Sequence, residues 1–149
     1  MQKKVFVDTS VLILFSKLNC LELLRQIYGI VYTTTDVVNE FGSQVPKWVL
    51  VIDMSINKNS YSGLGKGELS LLLLALNNEN TYLIIDDLKA RKIAKDLNIK
   101  FSGCIGVLIA AKKLGYINSI KPYLEKITHT NFRLSKDLQI QALYIVGEL

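Results

Sequence analysis

The stretch LIIDDLKARKIAKDLNIKF, from Leu83 to Phe101, contains the pattern that decides the fold. An apolar run with the composition of a strand ends in two adjacent carboxylates, Asp86 and Asp87. A basic segment with helical spacing follows at once, and Ile99 begins another short apolar step. The order strand, helix, strand is the pattern of an α/β fold. Two like charges at the tip of a buried strand repel each other unless something neutralises them.

The same alternation extends along the chain. Strand-like runs occur at 5–7, 30–32, 49–52, 82–85 and 99–101, and helical patterns occur at 12–18, 21–27, 69–76, 88–97, 103–114, 120–127 and 136–146, with one more helix carrying Glu40. A polar loop is predicted between Asn57 and Gly67. Short apolar strands that alternate with helices predict a parallel sheet with helices on both faces.

Composition narrows the class of protein. The chain has 149 residues, which is the length of one domain, so residues 1–149 are expected to form a single unit. Half of the residues are hydrophobic and 21% are charged, as in globular proteins. Cys20 and Cys104 form no CxxC pair, which favours a reduced, cytoplasmic protein. The leucine-rich stretch at 69–76 is far shorter than the ~20 residues of a membrane span, so no membrane association is expected.

Acidic residues follow two of the predicted strands at their carboxyl ends. VFVD ends at Asp8, and LIIDD ends at Asp86 and Asp87. Parallel sheets bind ligands at this edge, so the three side chains are expected to converge if both strands are central. Glu40 and Glu68 lie near the starts of helices that begin at the same edge. The sequence therefore predicts a cluster of four or five carboxylates.

A carboxylate cluster of this kind is unfavourable unless cations occupy it. Oxygen ligands favour Mg²⁺ or Mn²⁺ over zinc. A magnesium ion held by a few acids keeps several waters and binds phosphates, and it can generate a nucleophilic hydroxide and stabilise a leaving oxygen. The net charge of +5 suits a polyanionic partner. Together these features predict metal-assisted hydrolysis of nucleic acid.

Simpler interpretations of the same residues stay open. An Asp at the end of a strand is commonly a helix N-cap, and a Glu at a helix start is favoured by the helix dipole. The hydroxyls of Thr9 and Ser10 either cap the next helix or orient the Asp8 carboxylate. Arg91 and Lys92 belong either to a solvated helix face or to a surface that contacts phosphate.

Other site classes fit less well. GLGKGE at 63–68 matches neither GxxxxGK[ST] nor GxGxxG, so it is not a known phosphate-binding loop. His129 is the only histidine, which excludes a histidine-based metal site and disfavours a Ser–His or Cys–His triad. Cys104 near a helix start is interpreted as a packed thiol.

Five pieces of the sequence, in this order, resemble the PIN-domain nucleases, and specifically the branch of VapC-like toxins and their uncharacterised relatives. They are VDTSVLILFSKL at 7–18, VVNEF at 37–41, GKGELSLLLLA at 65–75, LIIDDLKARKIA at 83–94 and GCIGVLIAAKKLGYI at 103–117. The resemblance covers roughly residues 4 to 120. It implies a three-layer α/β/α sandwich with a mostly parallel central sheet, a pocket for Mg²⁺ or Mn²⁺, and cleavage of single-stranded RNA.

The resemblance also assigns the acids by position. Asp8 is the first, Glu40 the second and Glu68 the third, and the fourth falls on the pair Asp86 and Asp87. The family's T-x-D pattern gives the metal position to Asp87, although sequence alone leaves both members of the pair open. The chain departs from the family at two positions. Many members have Asp where this chain has Glu68, and Ile85 stands in place of the Thr.

Three hypotheses follow. In the first, the chain is a metal-dependent endoribonuclease in which Asp8, Glu40 and Asp87 hold the ion and Glu68 and Asp86 support it. Ser10 would then orient Asp8, and Arg91 and Lys92 would contact phosphate. By resemblance such a protein is a toxin with a small antitoxin partner and forms a homodimer. In the second, the two departures mark an inactive module that binds RNA or a protein partner. In the third, Asp8 is the aspartyl nucleophile of a phosphatase, although Ser10 replaces the second Asp of D-x-D.

Overall fold

The computed structural model describes residues 3–54 and 63–149. Within these ranges the strands are β1 (Lys4–Val7), β2 (Val31–Thr34), β3 (Val49–Ile52), β4 (Thr81–Ile84) and β5 (Lys100–Ser102). The helices are α1 (Thr9–Lys17), α2 (Glu22–Tyr28), α3 (Thr35–Phe41), α4 (Lys66–Leu76), α5 (Leu88–Asp96), α6 (Cys104–Lys113), α7 (Lys121–Ile127) and α8 (Lys136–Ile145). The part of the predicted polar loop at 57–62 lies outside the described residues.

The five strands form one parallel sheet in the order β3-β2-β1-β4-β5. The chain runs outward from β1 to β3 on one side and from β4 to β5 on the other. The order therefore reverses between β1 and β4, and the carboxyl ends of strands at such a reversal form a crevice in open α/β sheets.

Helices pack against one another around the sheet. Helix α4 contacts α3 and α5, helix α6 contacts α1, α2 and α8, and α1 also contacts α3. The expected α/β/α sandwich with a parallel central sheet is therefore confirmed. Among the described helices, none has both the length and the hydropathy to cross a bilayer.

Apolar runs in the central strands explain why the sheet is buried. Phe6 and Val7 of β1, and Leu83 and Ile84 of β4, are completely inaccessible to solvent. Strands buried on both faces read as continuous hydrophobic runs, which is the pattern that the sequence shows here. Helix α4 is buried along most of its length, but Leu76 at its end is half exposed.

Several helix and strand boundaries differ by a few residues from those predicted from the sequence. Helix α1 begins at Thr9, three residues before the predicted start, because Asp8 is its N-cap in an extended conformation. Helix α4 begins at Lys66, so Glu68 lies inside its first turn and does not open the helix. Thr34 both ends β2 and accepts a hydrogen bond from Val37 N at 3.2 Å as the N-cap of α3.

Glu148 links the end of the chain to α6 and to the start of α7 through hydrogen bonds. Its carboxylate accepts from Lys112 Nζ at 2.9 Å, from the amides of Ile120 and Lys121 at 2.8 and 3.1 Å, and from the Ser119 hydroxyl. Burial by itself raises the pKa of Glu148, but the hydrogen bonds from Lys112, Ser119 and the two amides outweigh it and lower the pKa to about 2.

The low pKa predicts a pH-dependent contribution to stability. Because the folded-state pKa of Glu148 lies below its usual 4.5, its contribution is complete above that pH and is lost as the pH falls toward 2. We expect Glu148→Gln to lower the free energy of unfolding at neutral pH by about 2 kcal/mol, because charge-assisted hydrogen bonds are weakened.

Urea unfolding of wild type and variant between neutral and acidic pH measures this contribution. Glu125→Gln, which alters an exposed carboxylate on α7, is the matched control and should behave as wild type. A constant difference between wild type and Glu148→Gln down to pH ~2 would contradict the assignment.

Candidate active site

The carboxyl ends of β1 and β4 border a cavity of about 950 Å³. Val7 of β1 lies opposite Ile84 of β4, and the Asp8 amide donates to the Ile84 carbonyl at 3.1 Å. The acids that follow these two strands therefore start from adjacent positions. All five carboxylates predicted from the sequence line this cavity: Asp8, Glu40, Glu68, Asp86 and Asp87.

Asp8 is the most deeply buried of these acids, with 2% of its surface exposed. Its Oδ1 atom has no hydrogen-bond partner among the described residues. Burial raises the pKa of Asp8 from its usual 3.8 to about 7; a hydrogen bond from the Thr9 backbone lowers it, and the charges of Glu68, Glu40 and Asp87 raise it further. A group with this burial and this pKa is either protonated near neutral pH or compensated by a cation.

Glu40 and Glu68 are held by the glycine-rich segment that begins α4. The Gly67 amide donates to Glu40 Oε1 at 2.6 Å, and the Gly65 amide donates to Glu68 Oε1 at 3.0 Å. The Thr9 hydroxyl also lies 3.4 Å from Glu40 Oε2. GLGKGE therefore presents backbone amides to two carboxylates, as the N-terminus of a helix does for anions generally.

Gly67 has a steric reason to be glycine. A Cβ atom at this position would lie 2.7 Å from Glu40 Oε1 and 3.1 Å from Val37 Cγ2. At Gly65 the nearest atom, Glu68 Oε1, would be an ordinary 3.5 Å from a Cβ atom. The close approach of Glu40 to the helix start therefore depends on Gly67 and not on Gly65.

Asp86 and Asp87 accept hydrogen bonds from the first turns of two different helices. Asp87 is the N-cap of α5 and accepts from the Ala90 amide at 2.9 Å. Asp86 Oδ1 accepts from the Cys104 amide at the start of α6, at 3.0 Å, while its buried Oδ2 has no partner among the described residues. The charge of Asp87 contributes to the raised pKa of both Asp8 and Glu68. Asp87 therefore faces the other acids, and Asp86 faces α6.

The donor set suits a hard cation, although the acids are not placed as a finished metal site. No group of three or more His, Cys, Asp or Glu side chains in residues 3–54 and 63–149 lies close enough together to hold an ion. Glu40, Glu68, Asp86 and Asp87 each give one oxygen to a backbone amide, and Glu40 Oε2 also lies 3.4 Å from the Thr9 hydroxyl. Oxygen donors and the unpaired, buried Oδ1 of Asp8 fit Mg²⁺ or Mn²⁺.

Two of the three other predicted site residues line the cavity. Ser10 and Arg91 line the cavity, whereas Lys92 is exposed on α5 and is not among the lining residues. Arg91 is already engaged: its Nε donates to the Ile85 carbonyl at 3.0 Å, and its guanidinium lies 5.2 Å from the centre of the Phe101 ring.

Sequence reasoning missed two further residues that line the cavity. Phe132 and Arg133 line it, but they lie between α7 and α8, where no periodicity or motif marks them. Gly103 was also missed. A Cβ atom there would overlap Asp86 Oδ1 and approach Arg91 Nη2 to 2.6 Å. The sequence signal for this close approach is a glycine at the position directly before a helix.

Comparison with known protein families concerns the whole chain and not the site alone. A sequence model described as PIN domain matches residues 4–148, which is nearly the whole chain. No curated protein and no solved structure matched the chain.

The raised pKa of Asp8 predicts how stability varies with pH in the presence of a metal chelator. Because the folded-state pKa lies above the unfolded value, the contribution of Asp8 is complete below its usual 3.8 and is lost as the pH rises through about 7. We expect wild type to lose on the order of 4 kcal/mol relative to Asp8→Asn over this range.

Chemical denaturation across this pH range measures the difference. Asp96→Asn, which removes an exposed carboxylate at the end of α5, should show the same pH dependence as wild type. Equal pH dependence of wild type and Asp8→Asn would show that Asp8 ionises normally in the folded protein.

Proposed function

The chain belongs to the PIN-domain family, whose members are generally nucleases, and from this premise we propose that it is a metal-dependent endoribonuclease that hydrolyses phosphodiester bonds in single-stranded RNA. The observation that carries the proposal is the buried Asp8 carboxylate. It has an unpaired oxygen and lies among four other acids where two central strands end. A bound cation stabilises the ionised form of such an acid and so offsets the cost of burying its charge.

In this proposal Asp8, Glu40 and Asp87 hold Mg²⁺ or Mn²⁺, and Glu68 and Asp86 support them. The contacts favour this division. Asp87 is the member of its pair that raises the pKa of Asp8, whereas Asp86 contacts the Cys104 amide of α6.

The ion, when bound, supplies a nucleophilic hydroxide from water and stabilises the leaving oxygen. The chain's own residues position it and the substrate. The Gly65 and Gly67 amides and the Thr9 hydroxyl orient the two glutamates. Ser10 is assigned to orient Asp8. Arg91 and Lys92 are assigned to substrate phosphate, and Arg91 is the one that lines the cavity.

The wider biological role is also part of the proposal. We assign the chain to the VapC-like branch, as the toxin of a toxin–antitoxin pair that acts in the cytoplasm. Its partners would be RNA, a small antitoxin protein and a second copy of the chain, with residues 1–149 as one domain. The sequence resemblance described above supports these assignments.

A second function has specific observations in its favour. Ile85, where the family pattern has Thr, is 1% exposed and offers no hydroxyl to the site. Glu68 replaces the usual Asp and already accepts from the Gly65 amide. Both features suit a PIN-like module with a weak or inactive site that binds RNA or a protein partner.

Cleavage of RNA tests the first function. Purified protein is incubated with single-stranded RNA and Mn²⁺, and we expect cleavage that EDTA abolishes. Asp8→Asn should lower the rate at least 100-fold, because the ion loses its most buried ligand.

The matched control is Asp96→Asn, which removes an exposed carboxylate at the end of α5 that does not line the cavity. It should cleave as wild type does. Equal cleavage by wild type, by Asp8→Asn and in EDTA would reveal a contaminating nuclease and defeat the proposal.

Binding of Mn²⁺, measured by calorimetry, tests the assigned ligands separately from cleavage. Gly67→Ala should weaken Mn²⁺ binding about tenfold, because its Cβ atom displaces Glu40 from the helix start. Gly65→Ala is the matched control, since its Cβ atom meets nothing closer than 3.5 Å and the residue has an ordinary φ of −72°. Equal Mn²⁺ affinity of the two variants would remove Glu40 from the ligand set.

A further inference from the structure

The cavity is larger than an ion and its carboxylates require, and part of its lining is apolar. Helices α1, α6 and α8 and the segment before α8 contribute apolar side chains to it: Ile13, Ile105, Ile109, Phe132 and Leu138. These residues and the five acids line one space of about 950 Å³. The cavity therefore has room for a ligand with an apolar part beside a part that suits a cation site.

The segment that carries Phe132 is fixed by its own hydrogen bonds. The Thr130 hydroxyl donates to the Ile127 carbonyl at 2.7 Å and accepts from the Phe132 amide at 3.2 Å. On the other side, Ser135 caps α8 by accepting from the Leu138 amide at 3.2 Å. The ring of Phe132 is partly buried and packs against the core. Phe132 is therefore presented to the cavity from an anchored turn.

Arg133, next to Phe132, is the more available of the two arginines that line the cavity. Arg91 is held by a hydrogen bond to the Ile85 carbonyl and by the Phe101 ring. Arg133 is exposed and forms no ion pair with any acid in the described part of the chain. An aromatic ring beside an unpaired guanidinium is the combination that binds single-stranded nucleic acid by base stacking and phosphate contact.

We propose that Phe132 and Arg133 form a nucleotide subsite, in which the Phe132 ring stacks on an unpaired base next to the scissile phosphate and the Arg133 guanidinium contacts a neighbouring phosphate. The inference rests on the proposed function, because it takes a nucleic acid strand as the occupant of the cavity. Charge favours that occupant over an apolar peptide, because a phosphodiester chain suits both Arg133 and an ion among the acids that line the same cavity.

The subsite has a consequence for substrate structure. A base that stacks on Phe132 must leave its own stack and its partner base to enter the apolar side of the cavity. Double-stranded RNA therefore loses this contact, and the preference for unpaired RNA comes from Phe132 and not from the acids.

Binding and cleavage are measured separately. Affinity for a short single-stranded RNA is measured by fluorescence anisotropy on the Asp8→Asn protein, which does not consume the substrate. Adding Phe132→Leu should weaken binding about tenfold, as loss of one base–aromatic stack does. Phe132→Tyr keeps the ring and should bind within about twofold of its parent. In the cleaving protein, Phe132→Leu should raise KM with little change in kcat.

Removal of single bases from the RNA tests the same contact without changing the protein. At one position along the strand, loss of the base should weaken binding to the Phe132 protein about tenfold and to Phe132→Leu hardly at all. Such non-additivity identifies the pair of groups that touch. Additive losses at every position would overturn the assignment of Phe132.

Salt dependence tests Arg133. Arg133→Gln should weaken binding of all sequences and reduce the slope of log affinity against log salt by about 0.7, the value for one phosphate contact on a single strand. Phe132→Leu should leave that slope unchanged. Arg25→Gln on α2 and Tyr144→Leu on α8 alter exposed residues outside the cavity lining, and both should bind RNA as their parent does.

The outcomes separate this inference from the proposed function. Cleavage that depends on Asp8, combined with RNA binding that is indifferent to Phe132 and Arg133, would overturn the subsite alone. Absence of cleavage with the base-specific and salt effects intact would overturn the nuclease and support the subsite in an RNA-binding module. Absence of RNA binding by every variant would overturn both.

Discussion

Repulsion among carboxylates at the carboxyl ends of β1 and β4 is the constraint around which the site is arranged. Asp8 is almost completely buried, and the charges of Glu68, Glu40 and Asp87 all raise its pKa. Burial in a low dielectric strengthens this repulsion, because solvent no longer screens the charges. The side chains of Glu40, Glu68, Asp86 and Asp87 could relieve the repulsion by turning into solvent. Instead, each of these carboxylates accepts a hydrogen bond from a backbone amide.

Those amides come from three different helix starts. The start of α4 holds Glu40 and Glu68, the first turn of α5 holds Asp87, and the start of α6 holds Asp86. Unpaired amides and the positive end of the helix dipole stabilise negative charge at such positions. The repulsion is thereby reduced without an ion pair to a cationic side chain among the described residues, where Oδ1 of Asp8 and Oδ2 of Asp86 have no partner. Gly67 and Gly103 allow the acids to come this close, because a Cβ atom at either position would meet a carboxylate oxygen.

Other residues of the cavity lining suit a nucleic-acid substrate. A site made only of acids would repel a phosphodiester, so an ion and a separate contact surface are both needed. Arg133 and Phe132 line the same cavity as the acids. Their segment is fixed by hydrogen bonds of Thr130 and Ser135.

The sequence by itself determined the fold class and the five acids. Continuous apolar runs that alternate with helical patterns predict strands covered on both faces, and a carboxylate directly after such a strand lies at the carboxyl edge of the sheet. Tertiary structure decided what local pattern does not encode: that β1 and β4 are neighbours, that Asp87 faces Asp8 while Asp86 faces α6, and that Phe132 and Arg133 complete the cavity. The physical reason is that pairing of strands and packing of helices bring together residues far apart in the chain, and no periodicity within a single segment records those contacts.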